Sequence, residues 1–271
     1  MRTLAEIAAI YDTDKASSPG YLGDFEEVFG QRRQQPTAIL ELGIFHGGSL
    51  QIWRDYFVGG PVIGLDLNSV DVPDPSGRIK TYAGSQVDLE LLDRIRTECA
   101  ADGFDIIIDD CSHLGNLTSA SFWHLFPNHL RPGGVYVVED WGTGYWDSWS
   151  DGHHASADVV HAGPRKQSGG IVGGLAGRLG RSPGLIGKIG RRSSRVLTRR
   201  LPSHDYGMVG FVKQLIDECA MPDITAPGRG GLQPYRSSSI AKLRITTGHV
   251  FVFKPVAPSE PSRRMPTSPS A

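Results

Sequence analysis

The segment from Phe104 to His113 constrains the fold of this chain most, because it joins a run of β-branched residues to a cluster of polar ones. It reads Phe-Asp-Ile-Ile-Ile-Asp-Asp-Cys-Ser-His. Three consecutive isoleucines predict a strand buried on both faces, as in a parallel sheet. Open α/β sheets bind ligands at the carboxyl ends of their strands. The polar residues that follow, above all Asp109, Asp110 and His113, are therefore candidate site residues.

A second apolar strand, Val-Tyr-Val-Val-Glu-Asp at 135–140, ends on two carboxylates in the same way. If the two strands are neighbours, four acidic groups and one imidazole meet at one edge of the sheet. The competing interpretation is that Asp109, Asp110, Glu139 and Asp140 are caps and turn residues of following helices. The repetition of the pattern at two strands favours a site.

Strands alternate with helices along the first 140 residues, which predicts right-handed crossovers and a mostly parallel α/β sheet. Two more strands, at 239–246 and 249–254, predict an antiparallel hairpin near the C-terminus. The expected organisation is an N-terminal helical cap (1–36), a core (37–146), a variable basic insert or lid (147–204), a C-terminal completion of the core (205–254) and a disordered Pro/Ser-rich tail (255–271).

Composition narrows the class of protein. No run of 18 apolar residues exists and the N-terminus has no signal-peptide hydrophobic region, which predicts a cytoplasmic protein. Three widely spaced cysteines without a CxxC pair predict free thiols in a reducing cytosol and argue against a zinc site.

Charge is divided unevenly along the chain. Residues 1–160 hold 10 Lys and Arg against 24 Asp and Glu, whereas 162–204 hold 10 Lys and Arg and no acid. The basic stretch fits a lid over an acidic site, a peripheral contact of 165–200 with an anionic membrane or lipid-linked acceptor, or a nucleic-acid patch. Few aromatic residues interleave with its cations, so nucleic acid is not expected as a partner.

The segment Glu-Leu-Gly-Ile-Phe-His-Gly-Gly-Ser at 41–49 predicts a glycine-rich turn from a strand into a helix. Small residues let backbone and ligand approach closely, and a helix N-terminus favours polar or anionic groups. The spacing is not the GxGxxG of dinucleotide-binding folds. Asp66 ends the next predicted strand, where a carboxylate can accept both hydroxyls of a ribose. A purely structural turn is the alternative.

These motifs together resemble the class I, S-adenosylmethionine-dependent sugar O-methyltransferases, in particular those that methylate macrolide deoxysugars; rhamnosyl O-methyltransferases of glycolipids are similar. The resemblance rests on the turn at 41–49, Asp66, the runs at 109–113 and 137–140, and a Tyr-x-Thr-Asp-Lys motif at 11–15. It covers roughly residues 10–146 and implies a Rossmann-like class I methyltransferase fold.

The resemblance implies a glycoside or glycolipid acceptor and a Mg²⁺ ion held by Asp110, Glu139 and Asp140. The chemistry agrees, since a hard cation takes oxygen ligands and leaves positions open for substrate hydroxyls. His113, three residues after Asp110, is the candidate general base, because an imidazole is largely neutral at cytosolic pH. A structural, hydrogen-bonded histidine is the alternative, and Asp109 is either an orienting group or a cofactor contact.

The expected contacts to S-adenosylmethionine are Glu41, Gly43 and Asp66, with Thr13 carried over from the family motif. Ser85, with Gln86, could line the adenine, although a structural turn explains that pair equally well. Oligomeric state is left open, and a homo-oligomer is one outcome.

Two other functions compete with methyl transfer. Relatives of this scaffold have been called antibiotic hydroxylases, but an Fe(II)/2-oxoglutarate enzyme needs two histidines and one carboxylate, and only His113 accompanies the strand-end acids. A non-catalytic module that binds nucleic acid or membrane through the basic stretch is the second alternative.

Overall fold

The computed structural model describes residues 1–17, 20–146, 148–152, 204–228 and 234–256. The basic stretch at 162–204 lies outside the described residues except for His204, and so does the tail beyond Val256. Two compact units make up the chain: residues 1–112, 117–140 and 215–271 in the first, and residues 113–116 and 141–214 in the second.

One sheet organises the first unit. Its strands are β1 (Ile39–Leu42), β2 (Val62–Asp66), β3 (Ile79–Ala83), β4 (Phe104–Asp109), β5 (Leu130–Glu139), β6 (Lys242–Ile245) and β7 (His249–Phe253). The order across the sheet is β3-β2-β1-β4-β5-β7-β6. The first five strands are parallel, and β7 is antiparallel to both β5 and β6. The predicted parallel sheet with a C-terminal antiparallel hairpin is confirmed.

Six α-helices accompany the strands in the described residues. They are α1 (Leu4–Ala8), α2 (Tyr21–Phe29), α3 (Gly48–Tyr56), α4 (Leu89–Cys99), α5 (Gly115–Asn128) and α6 (Gly207–Ile224). Short 3₁₀ turns follow α2 at Gly30–Arg32 and β5 at Trp141–Tyr145. None of the helices in these residues is long and apolar enough to cross a bilayer.

The isoleucine run forms the middle of β4, as predicted, and is buried because both faces of the sheet are covered. On one face, Ile106 and Ile108 pack in a core with residues of α1, α2 and α3. On the other, Tyr136 of β5 meets Phe122 of α5, with ring centroids 4.9 Å apart. Cover on both faces is the condition under which a parallel sheet tolerates uninterrupted apolar strands.

The candidate residues of the first unit lie where parallel strands end or just beyond. Gly43 follows β1, Asp66 ends β2, Asp110 follows β4, and Asp140 follows β5. Parallel pairing of β1 with β2 and β4, and of β4 with β5, places these ends at one edge. The sheet thus provides the ligand-binding edge that open α/β folds use.

Candidate active site

The N-terminal Tyr-x-Thr-Asp-Lys motif packs against the glycine-rich turn. A Cβ built on Gly48 would lie 1.9 Å from the carbonyl oxygen of Asp12, so only glycine permits this approach. Thr13 Oγ1 accepts a hydrogen bond from the backbone N–H of Lys15 at 3.3 Å. This local turn sends the Lys15 side chain inward, where it is only 4% exposed.

Lys15 lies among three carboxylates. Its Nζ is 2.7 Å from Asp110 Oδ2, 2.8 Å from each carboxylate oxygen of Glu139 and 3.4 Å from Glu41 Oε1. One oxygen from each of the three acids lies within 4.8 Å of the others, and the Lys15 ammonium lies between these oxygens. Glu41 lies in β1, Asp110 directly follows β4 and Glu139 ends β5, so the cluster exists only once the sheet has formed.

The electrostatics of the cluster are those of three acids sharing one base. Burial opposes the charge on Lys15, yet attraction to Asp110, Glu139 and Glu41 outweighs it and raises the Lys15 pKa well above its usual range. Burial, followed by repulsion from Asp110, raises the pKa of Glu139 well above its usual range despite Lys15. Burial also raises the pKa of Glu41. A divalent cation would remove this excess of negative charge.

Carboxylate oxygens are the donors that Mg²⁺ prefers. The structure brings Asp110 and Glu139 together around Lys15, and Asp140 joins them through Tyr21. The Tyr21 hydroxyl donates to Glu139 at 2.5 Å and lies 3.3 Å from Asp140 Oδ1. Asp140 has a φ of 50°, and non-glycine residues in this strained region cluster at functional sites.

Sequence reasoning missed Tyr21 and His249. The His249 ring is buried, lies 3.9 Å from that of Tyr21 and has Nδ1 3.2 Å from Asp24 Oδ2. Burial is the main cause that lowers the pKa of His249 to about 4, so the ring is neutral. His249 is paired in register with Glu139, and only a correct alignment of β5 with β7 could have predicted its place beside the cluster.

The residues assigned to the cofactor lie at the same edge, in different environments. Gly43 has a φ of 79°, and a Cβ there would lie 2.2 Å from the carbonyl oxygen of Asp110. Asp66 Oδ2 accepts from the backbone N–H groups of Ile44 and Phe45, at 3.1 and 3.3 Å, which ties β2 to the glycine-rich turn. Ser85 Oγ accepts from the N–H of Val87, as in a turn.

Two of the predicted cofactor residues point into the protein. Glu41 is fully buried and accepts a hydrogen bond from Trp53 Nε1 at 3.0 Å. Asp109 is buried too, and its Oδ2 accepts from Ser121 Oγ at 3.1 Å and Tyr136 Oη at 3.0 Å. Burial is the main cause that raises the pKa of Asp109 to about 7. These contacts support an orienting role for Asp109; a cofactor contact by either residue stays a prediction.

His113 belongs to the second unit, where its backbone has a φ of 50° and its carbonyl oxygen accepts from Trp149 Nε1 at 3.2 Å. The ring of His113 lies 5.6 Å from that of Trp149. In the same unit, Asp151 Oδ2 accepts hydrogen bonds from the backbone N–H groups of Gly115 and Met208. The assignment of His113 as general base stays a prediction.

Comparisons with known proteins show which enzymes this chain is similar to. No protein-family model matches the chain. Mycinamicin VI 2''-O-methyltransferase of Micromonospora griseorubida is 40% identical over 154 residues, which is 53% of this chain and 37% of that protein. The 8-demethyl-8-(2-methoxy-alpha-L-rhamnosyl)-tetracenomycin-C 3'-O-methyltransferase of Streptomyces olivaceus is 39% identical over 141 residues, 49% of this chain and 35% of that protein.

Among solved structures, the MycE methyltransferase of the mycinamycin biosynthetic pathway, in complex with Mg and SAH (S-adenosylhomocysteine), superimposes with a TM-score of 0.63 at 28% identity. The match covers 94% of this chain and 55% of MycE. The chain therefore spans about half of that enzyme, and the aligned segments cover less than half of the curated relatives. The class I methyltransferase fold is confirmed, and the relatives of this chain are, as the motifs predicted, sugar O-methyltransferases that act on glycosylated natural products.

Proposed function

We propose that this chain is an S-adenosylmethionine-dependent, Mg²⁺-assisted O-methyltransferase that acts on a sugar hydroxyl of a glycosylated small molecule. The observation that carries the proposal is the cluster of Asp110, Glu139 and Asp140, held by Lys15 and Tyr21 beside a glycine-rich turn at the carboxyl edge of a methyltransferase sheet. Relatives with the same chemistry, one of them solved with Mg and SAH, support it.

The candidate cofactor site consists of the glycine-rich turn, the Asp66 carboxylate and two exposed apolar side chains. Asp66 stands at the end of β2 and would accept hydrogen bonds from the ribose hydroxyls. Phe45, whose backbone N–H donates to Asp66, and Leu67, the next residue in sequence, are large apolar side chains left exposed. Exposed apolar residues grouped at a ligand edge are typical of a binding surface, and these two suit the faces of an adenine.

For the metal, Asp110, Glu139 and Asp140 supply carboxylate oxygens, and the Tyr21 hydroxyl orients the last two. When bound there, Mg²⁺ would polarise an acceptor hydroxyl and lower its pKa. Lys15 meanwhile holds Asp110 and Glu139 in place, since removal of its charge would let the acids repel one another.

For proton removal, we assign the imidazole of His113, whose unprotonated ring nitrogen would take the proton from the acceptor hydroxyl as the methyl group is transferred. A base and a metal share the activation of a weak nucleophile in this scheme. The acceptor class is carried over from the relatives, one of which was solved with mycinamycin VI. Peripheral membrane contact through 165–200, a homo-oligomer and a cytoplasmic location stay predictions.

The decisive experiment is calorimetric titration of SAH into the protein, with Mg²⁺ and with EDTA. We expect micromolar binding that survives EDTA, is lost in Asp66→Ala and is kept in Asp71→Ala, which removes an exposed acid five residues further on. Methylation of macrolide glycosides should then require the metal. Absence of SAH binding under both conditions would refute the proposal.

A further inference from the structure

Three potential metal ligands meet at the amino end of β5, which no part of the proposed reaction uses. Asp93 lies on α4, His124 lies on α5, and His129 lies between α5 and β5. Both Nε2 atoms are 2.8 Å from Asp93 Oδ1, and the imidazole centroids are 4.9 Å apart. β5 pairs with β4 from Phe104 at one end to Asp109 at the other, a span of six residues, so its two ends are about 17 Å apart and this cluster is distinct from the carboxylates at the other end.

We propose that Asp93, His124 and His129 bind a transition-metal dication of borderline softness, such as Zn²⁺. Two imidazoles and one carboxylate suit such an ion far better than Mg²⁺. One donor atom from each residue lies within 4.8 Å of the other two. Bonds of about 2.1 Å to each donor place neighbouring donors roughly 3–3.4 Å apart, close to the 2.8 Å between Asp93 Oδ1 and each Nε2. The low cysteine content does not bear on this site, since it uses none.

Neighbouring backbone groups fix the position of the His129 main chain. The backbone N–H of His129 donates to Leu125, and its carbonyl oxygen accepts from Phe104, both at 2.8 Å. Gly103 packs so closely that a Cβ there would lie 2.6 Å from that same carbonyl oxygen. Asp93, whose side chain is 60% exposed, is the adjustable partner and leaves room for water as a further ligand. Prior placement of ligands by packed backbone favours metal binding.

A neighbouring positive charge lowers the expected affinity of this site for a metal ion. Arg96, on the same helix as Asp93, lies close enough to act electrostatically on His129, and its positive charge opposes the binding of a cation. We therefore expect binding weaker than that of a four-ligand structural zinc site.

The site would join α4 to the junction of α5 and β5. Two histidines and a carboxylate are also the ligand set of non-haem iron oxygenases, but those open their metal to substrate. This cluster lies at the amino ends of the parallel strands, opposite the edge where such sheets bind substrates. Its expected role is therefore structural, and it stands whether or not the proposed function is correct.

The test measures Zn²⁺ and Co²⁺ binding to the full chain without a polyhistidine tag, in excess Mg²⁺ so that the carboxylate edge is saturated. We expect one Zn²⁺ per chain by equilibrium dialysis, a higher unfolding temperature with Zn²⁺, and visible d–d absorption from Co²⁺ at the same stoichiometry. Loss of one direct ligand in His124→Gln should weaken binding more than about 100-fold, since even outer-shell partners account for 10- to 100-fold.

Asp93→Asn serves as a second variant, because the exposed Asp93 side chain is easily replaced without loss of folding. Glu90→Gln, an exposed acid one turn away on α4, is the matched control and should bind as the parent does. Asp110→Asn should also retain the ion. Absence of Zn²⁺ binding, binding that survives both ligand variants, or binding lost only in Asp110→Asn would each overturn the proposal.

Discussion

Replacement of Lys15 by methionine tests the electrostatic account of the carboxylate cluster directly. The substitution keeps the length of the side chain and removes the charge that lies within 2.8 Å of Asp110 and Glu139. Breaking a buried ion pair by removing one partner typically costs about 3–5 kcal/mol, because the remaining charge is left uncompensated. The variant should therefore be much less stable than the parent at neutral pH without metal.

The loss of unfolding free energy has an upper limit for each carboxylate. A released carboxyl can always take up a proton, and from an ordinary pKa of 4.5 this costs about 1.4 kcal/mol per pH unit, or roughly 3.4 kcal/mol at pH 7. Burial already raises the pKa of Glu139 in the parent, and loss of the Lys15 charge raises it further, so the folded variant takes up its proton at a higher pH than the parent. By linkage, the deficit relative to the parent should shrink as the pH is lowered from 7.5 towards 5.

Urea unfolding followed by circular dichroism, at pH 7.5 and 5.5, gives both values. Lys80→Met is the matched control, since the Lys80 pair with Glu98 is solvent-exposed and such pairs contribute about 0–1 kcal/mol. Mg²⁺ should restore more stability to the Lys15 variant than to the parent, because it replaces the lost charge. A loss below about 1 kcal/mol at pH 7.5, or a loss that grows on acidification, would refute the reasoning.

Three further predictions follow from the same edge. Gly43→Ala should cost about 2–4 kcal/mol in urea unfolding, from left-handed strain and overlap with Asp110, whereas Gly77→Ala, with a φ of 69° and open space around it, should show only the strain of about 1–2 kcal/mol. The pKa of Asp109 is raised to about 7, so its protonation in the folded state contributes stability at low pH that is lost as the pH rises through 7. The free energy of unfolding should therefore fall more steeply between pH 5 and 7 for the parent than for Asp109→Asn. His113→Ala should lower methyl transfer by roughly 10²–10⁴-fold while calorimetric SAH affinity is unchanged; near-parental turnover would remove the base assignment.

Much of the fold could be predicted because its signals are local. The isoleucine run of β4 and the apolar β5 indicate buried strands without reference to the rest of the chain. The position of β7 between β5 and β6 was not predicted, although a signal was present. β7 is buried along nearly its whole length, whereas β6 alternates charged and apolar residues, as an edge strand does.

The central residue of the candidate site could not be predicted in the same way. Lys15 belongs to the Tyr-x-Thr-Asp-Lys motif, but a lysine in an N-terminal loop is ordinarily solvated. Its burial depends on Glu41, Asp110 and Glu139, which are 26, 95 and 124 positions away. The cluster of Asp93 with His124 and His129 was missed for the same reason, because only the packing of α4 against α5 brings them together.

The two acidic doublets show how backbone geometry decides what a motif can do. Successive side chains of a strand point to opposite faces, so Asp109 is directed to Ser121 and Tyr136 while Asp110 meets Lys15. A doublet on regular strand geometry therefore supplies one carboxylate to each side. The Glu139-Asp140 doublet escapes this rule through the positive φ of Asp140, which lets both of its carboxylates contact the hydroxyl of Tyr21. Four acids in sequence thus give three at the proposed metal site, and the strained residue is the one that makes the third available.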